Sequence, residues 1–225
     1  MKKFNSVLIL ILFLSATVSV FAQDKNNNGP GISIGITGMF GTNTIDSSEP
    51  KDDFDPGYII GGGITLQKRL AKYLSAGTGV EYRYFKVDFS MTEEATSLDY
   101  DATWKFKGIS APFHLIATIK GPASSLDLHA GITYTYIYSS EMSTNAVLAS
   151  GMTSDNAMRF TNSSQIAASG GVILRFMVTE YSDFFMGIMT EYYFTDLLKV
   201  NGDNDRLCLV NYYFSTGYMF RTDLF

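Results

Sequence analysis

Residues 125–140 read "SLDLHAGITYTYIYSS" and alternate with hardly a fault. Successive side chains of a β-strand point to opposite faces, so Leu126, Leu128, Ala130, Ile132, Tyr134 and Tyr136 share one side. Asp127, His129, Gly131, Thr133 and Thr135 share the other. A soluble sandwich would turn the leucines and tyrosines into a core, whereas a barrel in a bilayer would turn them out to lipid. The rest of the chain decides between the two.

The same period recurs seven more times. Alternating windows span 31–41, 58–67, 73–87, 104–119, 163–177, 183–195 and 207–222, which with 125–138 makes eight strands and no capped helix. The connectors segregate by length. Those at 42–57, 88–103, 139–162 and 196–206 are long, and those between them, "KRLAK", "KGPAS" and "VTEYS", are short. Short turns at one end and long loops at the other are the plan of outer-membrane barrels. The less apolar faces are small and weakly polar, as in Ser33/Gly35/Thr37, Gln165/Ala167/Ser169/Gly171 and Asn211/Tyr213/Ser215/Gly217. A water-facing sheet would carry lysine and glutamate there, while a narrow barrel has room inside for little else. Tyr82, Tyr84, Tyr134, Tyr136 and Tyr218 crowd strand ends on the apolar face, where an aromatic girdle would sit. These features predict an all-β, eight-stranded antiparallel up-and-down transmembrane barrel. A soluble lipocalin-like barrel is the competing architecture. Pro112 within the fourth strand removes a ladder donor and calls for a bulge or an open rung.

The start of the chain fixes the expected compartment. "MKKFNSVLILILFLSATVSVFAQ" has two lysines, an apolar stretch too short to span a bilayer, and a small-residue exit at Ala22. Residues 1–22 are expected to be a cleaved signal peptide, 23–30 a flexible periplasmic lead-in, and 31–225 the barrel domain. Without Lys2 and Lys3 the chain has a formal charge of −7, which disfavours nucleic acid as a partner. The single Cys208 allows no internal disulfide.

Placing the polar faces inside gives a lumen network of Glu81, Arg83, Asp127, Arg175, Glu191 and Arg221, with Asp127 and Arg175 near one another on adjacent strands. Charges at membrane depth are costly unless paired or wet, so such a network is expected even in a barrel that conducts nothing. Folding the fourth and fifth strands about 119–124 sets His114 opposite His129, one step from Asp127. Two imidazoles and a carboxylate form a weak candidate for a divalent metal, and a hydrogen-bonded plug explains them better. No cofactor is expected. Both histidines point inward, so a lipid-hydrolysing triad facing the bilayer is not expected, and the chain reads as a non-enzyme.

The final strand, "CLVNYYFSTGYMFRTDLF", resembles the C-terminal signal by which barrel-assembly machinery recognises its clients, ending at Phe225. The segments "ISAPFHLIATIKG" and "LDLHAGITYTY" resemble the Pro-containing hairpin of the PorT-like outer-membrane barrel family, a group of small barrels comparable in size to OmpX. That resemblance implies a fold and an outer-membrane location and brings no catalytic residues, while the even number of strands sets both termini on the periplasmic side.

Two features of the outer surface complete the reading. Loop 42–57 carries Asp46, Glu49, Asp52, Asp53 and Asp55 against Lys51, and loop 88–103 carries Asp88, Glu93, Glu94, Asp99 and Asp101 with no base. Below them Lys86, Lys105 and Lys107 point outward, with Lys86 opposite Lys105 in a simple register. Like charges across a ladder repel, so these lysines are the candidates to contact the phosphates of outer-membrane lipid, with a solvated rim of snorkelling lysines as the plainer alternative. The function expected is structural or interactive, exercised through acidic extracellular loops above a plugged polar lumen. An accessory subunit of an outer-membrane complex and a narrow channel are the alternatives.

Overall fold

A computed structural model describes residues 31–47, 53–93, 98–121, 124–144, 158, 161–197 and 207–221. Eight strands follow one another: β1 (Ile32–Ser47), β2 (Asp53–Ala71), β3 (Leu74–Glu93), β4 (Leu98–Lys120), β5 (Ser124–Thr144), β6 (Ser164–Thr179), β7 (Ser182–Tyr193) and β8 (Leu207–Arg221). Each pairs antiparallel with its neighbours, and β1 pairs with β8, so the sheet closes into a barrel. Closure matters because an open sheet edge in hydrocarbon would leave backbone groups unpaired, at several kcal/mol each.

The exterior settles which face of the opening stretch meets water. Ile36, Phe40, Ile64, Leu115, Leu128, Ile132, Ile188 and Tyr212 are all exposed, Ile188 to 68%. Their strand neighbours Met39, Thr133, Met189 and Tyr213 are buried. The leucines of β5 therefore lie on the outside of the barrel, and its alternation is that of a wall between an apolar medium and a filled interior.

The strands are longer than their periodicity. β1 reaches Ser47 and β2 begins at Asp53, so most of the expected loop 42–57 is strand. The expected loop 88–103 is almost entirely a hairpin, with Glu93 opposite Leu98. Backbone pairing continues above the apolar belt, where outward positions such as Lys86, Asp88 and Thr103 turn polar and apolar-out alternation ceases to mark a strand. Two bulges adjust this upper wall. One falls between Asp55 and Tyr58, where Pro56 needs no ladder donor. The other inserts Tyr138 opposite the Lys107–Gly108 step. After it the buried positions of β5 change from odd numbers (Thr133, Thr135, Ile137) to even ones (Ser140, Met142).

Pro112 is accommodated by an open rung. Thr78 pairs with Phe113 and Glu81 with Ser110 without any shift in register, while Gly79 and Val80 have no β4 partner. The Thr78 hydroxyl donates to the Pro112 carbonyl at 2.9 Å, giving that carbonyl a partner the ladder does not supply.

The interior is layered. Its upper part is apolar, with Ile59, Phe85, Val87, Trp104, Phe106, Ile137, Met142 and Leu209 packed together and Leu197 folded in over them. Asn162 donates its backbone N–H to Leu197, and Leu197 donates its own to Leu207, pinning that cover in place. Trp104 Nε1 donates to Ser140 Oγ at 2.6 Å, and Ser140 also accepts from Thr161 Oγ1 at 2.8 Å. Charged and polar groups occupy the layer beneath.

Candidate functional site in the barrel lumen

Inward positions of β3, β5, β7 and β8 carry Glu81, Arg83, Thr133, Glu191, Tyr193, Asn211 and Tyr213, which converge at mid-height. β3 and β7 lie four strands apart whichever way the ring is followed, so a contact between them crosses the lumen. Arg83 makes that contact. Its Nη1 lies 2.5 Å from Glu191 Oε2 and its Nη2 3.0 Å from Glu191 Oε1. The same guanidinium holds Glu81 Oε2 through Nη2 at 2.6 Å and Nε at 3.1 Å. Glu191 also accepts from Thr133 Oγ1 (3.0 Å), Asn211 Nδ2 (3.2 Å) and Tyr213 Oη (3.1 Å). Arg83 and Glu191 have no exposure, and the guanidinium faces the Tyr213 ring at 5.7 Å. An arginine fork that grips two carboxylates, the fully buried one of which finds further donors, is what a buried charge requires.

Below this layer is a cavity of about 70 Å³, lined by Gln67, Glu81, His114, His129, Arg175 and Tyr213 among others. His114 Nε2 meets Ser169 Oγ at 2.8 Å, and the two imidazoles pack edge to face with centroids 5.6 Å apart. They are not directly opposite, as the simple hairpin register requires. His114 faces Gly131 and His129 faces Ile116, because the β4–β5 turn closes at Lys120 and Ser125 and slides every pair by two residues. A diagonal approach still brings the rings together. Asp127 is engaged elsewhere, its Oδ2 2.5 Å from Arg175 Nη2. Among the described residues no group of three His, Cys, Asp or Glu side chains gathers around a common point.

The lowest layer continues from that pair. Arg175 also donates to Gln67 Oε1 at 2.7 Å and lies 3.8 Å from Asp183, which accepts from Arg221 through both oxygens at 2.9 and 3.0 Å. Asp183, Gln67 and Tyr193 are absent from the sequence reading, which set Asn211 and Tyr213 on the inward face without joining them to the charged network. Their inward parity on β2, β7 and β8 was the available signal.

At the upper rim Lys86 and Lys105 lie directly across the β3–β4 ladder. Lys86 and its outward neighbour Lys107 each meet a protein carboxylate. Lys86 Nζ is 2.6 Å from Asp88, which also accepts from Thr103, while Lys107 Nζ is 3.3 Å from Glu141. Lys105 stands opposite Glu141 on β5. Of the acidic groups above, Asp46 accepts from Tyr192 on the outer surface and Asp55 is exposed. Glu49, Lys51, Asp52 and Glu94 lie outside the described residues, as do the side chains of Asp53, Glu93, Asp99 and Asp101. Residues 1–30 and Phe225 lie outside them too.

No family model and no curated protein sequence matches the chain. Among solved structures it is similar to the outer-membrane protein OprG from Pseudomonas aeruginosa, at 13% identity and a TM-score of 0.54, over 85% of this chain and 96% of that one. Neisserial surface protein A matches at 12% identity and a TM-score of 0.41, over 87% and 99% of the two chains. Ail, the attachment invasion locus protein of Yersinia pestis, matches at 13% and 0.36, over 85% and 99%. The likeness to OprG is one of fold: a closed barrel of the outer-membrane type.

Proposed function

We propose that this protein is a closed-lumen barrel of the outer membrane that acts structurally or by interaction through its extracellular face. The observation that carries this reading is the filling of the interior by buried side chains. An Arg83–Glu191 strut crosses the lumen, and an apolar cover including Trp104, Phe106 and Leu197 sits above it. A barrel filled at two levels has its outer surface and loops left for function. On this reading residues 1–22 are removed on export, residues 23–30 form a periplasmic lead-in, and both termini are periplasmic. The C-terminal segment of sequence ending at Phe225 addresses the assembly machinery, and the hairpin around Pro112 favours kinship with PorT-like barrels. The reading has no catalytic step and needs no metal at His114, His129 and Asp127.

Lys86, Lys105 and Lys107 are the proposed contact with lipid phosphate. Asp88 and Glu141 neutralise two of the three, and Lys105 is the member best placed to take an anion from outside. The acidic positions above them would meet a partner, and an accessory role in a larger complex is the form such an interaction would take. Gentle detergent extraction followed by native mass spectrometry tests the proposal. A stoichiometric protein or lipid that survives extraction supports it. A bare barrel from every mild detergent, with lipid retention unchanged in a Lys86→Gln, Lys105→Gln, Lys107→Gln triple variant, removes the interaction reading.

A further inference from the structure

The end of the barrel that carries the short turns opens into a vestibule of about 190 Å³. Five cations line it: Arg69, Lys72, Lys120, Arg175 and Arg221, with Asp183 the one carboxylate among its lining residues. This concentration of positive charge belongs to a chain whose formal net charge is −5. Arg175 and Arg221 are taken up by Asp127 and Asp183. Arg69, Lys72 and Lys120 have no carboxylate partner among the described residues, Lys72 resting instead 5.0 Å from the Tyr73 ring centroid. Three uncompensated cations thus face one concave space whose walls also present the hydroxyls of Ser33, Ser75, Thr118 and Ser124. A second observation points the same way. Arg175, which lies between this vestibule and the inner cavity and lines both, has a buried Nε with no hydrogen-bond partner among the described residues, a donor left open at the floor of the space.

We infer that this vestibule binds a phosphate group. Like charges held together in a partly enclosed space repel, and an oxyanion that accepts from several N–H and O–H donors relieves the repulsion through charge-assisted hydrogen bonds. Arg69 offers a forked pair of donors matched to two oxygens of a tetrahedral anion, and Lys72 and Lys120 add mobile point charges. The space holds such a group with a few waters, a water's share of the liquid being about 30 Å³. The phosphate is either a soluble anion or the headgroup of a phospholipid from the adjoining leaflet. This site is separate from the rim lysines and does not depend on the lumen being closed.

The test uses the full folded chain in a non-ionic detergent at low ionic strength, titrated calorimetrically with inorganic phosphate and, separately, with dihexanoyl phosphatidylglycerol. Arg69→Gln with Lys120→Gln removes two donors that hold no internal ion pair, so the fold, checked by heat-modifiable migration, is retained. Saturable binding of either probe, weakened about tenfold or more by the double variant and unchanged by Lys86→Gln at the opposite end, supports the site. Binding of inorganic phosphate identifies a soluble anion, and binding of the lipid alone identifies a headgroup. No saturable binding of either probe, or equal weakening by Lys86→Gln and the double variant, overturns the inference.

Discussion

Arg83 and Glu191 meet across the full width of the lumen, from strands on opposite sides of the ring, and neither side chain has any exposure to solvent. Their contact is forked, and Glu191 is held by three further donors from β5 and β8. Removing one member leaves the other charge buried, which typically costs about 3–5 kcal/mol. Arg83→Ala and Glu191→Ala are each expected to lower the unfolding midpoint in denaturant strongly, and the double variant to lose much less than the sum. Effects that add to within about 0.5 kcal/mol would show that the two residues do not act as a pair.

Asp127 and Arg175 form the corresponding contact lower in the barrel, but in a wetter setting. Arg175 keeps Gln67 and Asp183 as partners when Asp127 is removed. Asp127→Ala is therefore expected to destabilise by less than either change in the cross-lumen pair, below the roughly 3–5 kcal/mol of a fully buried pair. A Gln67→Leu background should enlarge the loss. Equal losses in both backgrounds would count against the shared arrangement.

Trp104, the single tryptophan of the chain, reports on the apolar cover. It is 3% exposed, stacks on Phe106 at 5.3 Å between centroids and donates its indole N–H to Ser140. Its emission is expected to be blue-shifted and resistant to acrylamide. Ser140→Ala removes the acceptor shared by the buried Trp104 and Thr161 donors, at a cost of about 1–3 kcal/mol, and should lower the thermal midpoint. Quenching as efficient as that of free indole would contradict the cover.

Gly131 is required where β5 passes His114. A Cβ there would lie 2.0 Å from the Phe113 carbonyl oxygen and 2.7 Å from His114 Cδ2. The first of these is backbone and cannot swing away, so Gly131→Ala must spread the β4–β5 ladder. Overpacking of this kind typically costs about 1–3 kcal/mol or more. A lowered yield of heat-modifiable barrel is the expected result, and a Gly38→Ala control, where a Cβ meets nothing within 4 Å, should fold normally.

The histidine pair is expected to leave stability unmoved by zinc. His114 is engaged with Ser169 and Asp127 with Arg175, so a third ligand would have to be taken from an ion pair. A midpoint that rises with zinc and returns with chelator, and fails to do so in His129→Ala, would establish a metal site.

Much of this was legible in the sequence because a strand states its two faces at every residue. Period two placed Leu128 and Ile132 outside and Glu81, Arg83 and Glu191 inside. A simple antiparallel register put Lys86 across from Lys105 as well. What escaped the pattern has identifiable causes. Pairing says nothing about strands that are not neighbours, so the Arg83–Glu191 contact could not be derived. The Tyr138 bulge reverses the parity of β5, so Met142, which by simple alternation falls on the outer face, turns inward. Above the belt Phe85, Val87, Trp104 and Phe106 are inward and apolar, which broke the expectation that the lumen would be polar and small throughout. Asp88 and Glu141 supply anions to the rim lysines from the protein itself, a contact that reading β3 and β4 alone did not anticipate.

The central claim is that the lumen is sealed, and single-channel recording of the purified barrel in a planar lipid bilayer tests it most directly. The account predicts that insertion of the wild-type protein, verified by heat-modifiable migration of the same preparation, gives no discrete conductance steps in either polarity. Steps of uniform size that scale with the amount of folded protein would contradict it, because ions would then be passing the Arg83–Glu191 strut and the cover above it.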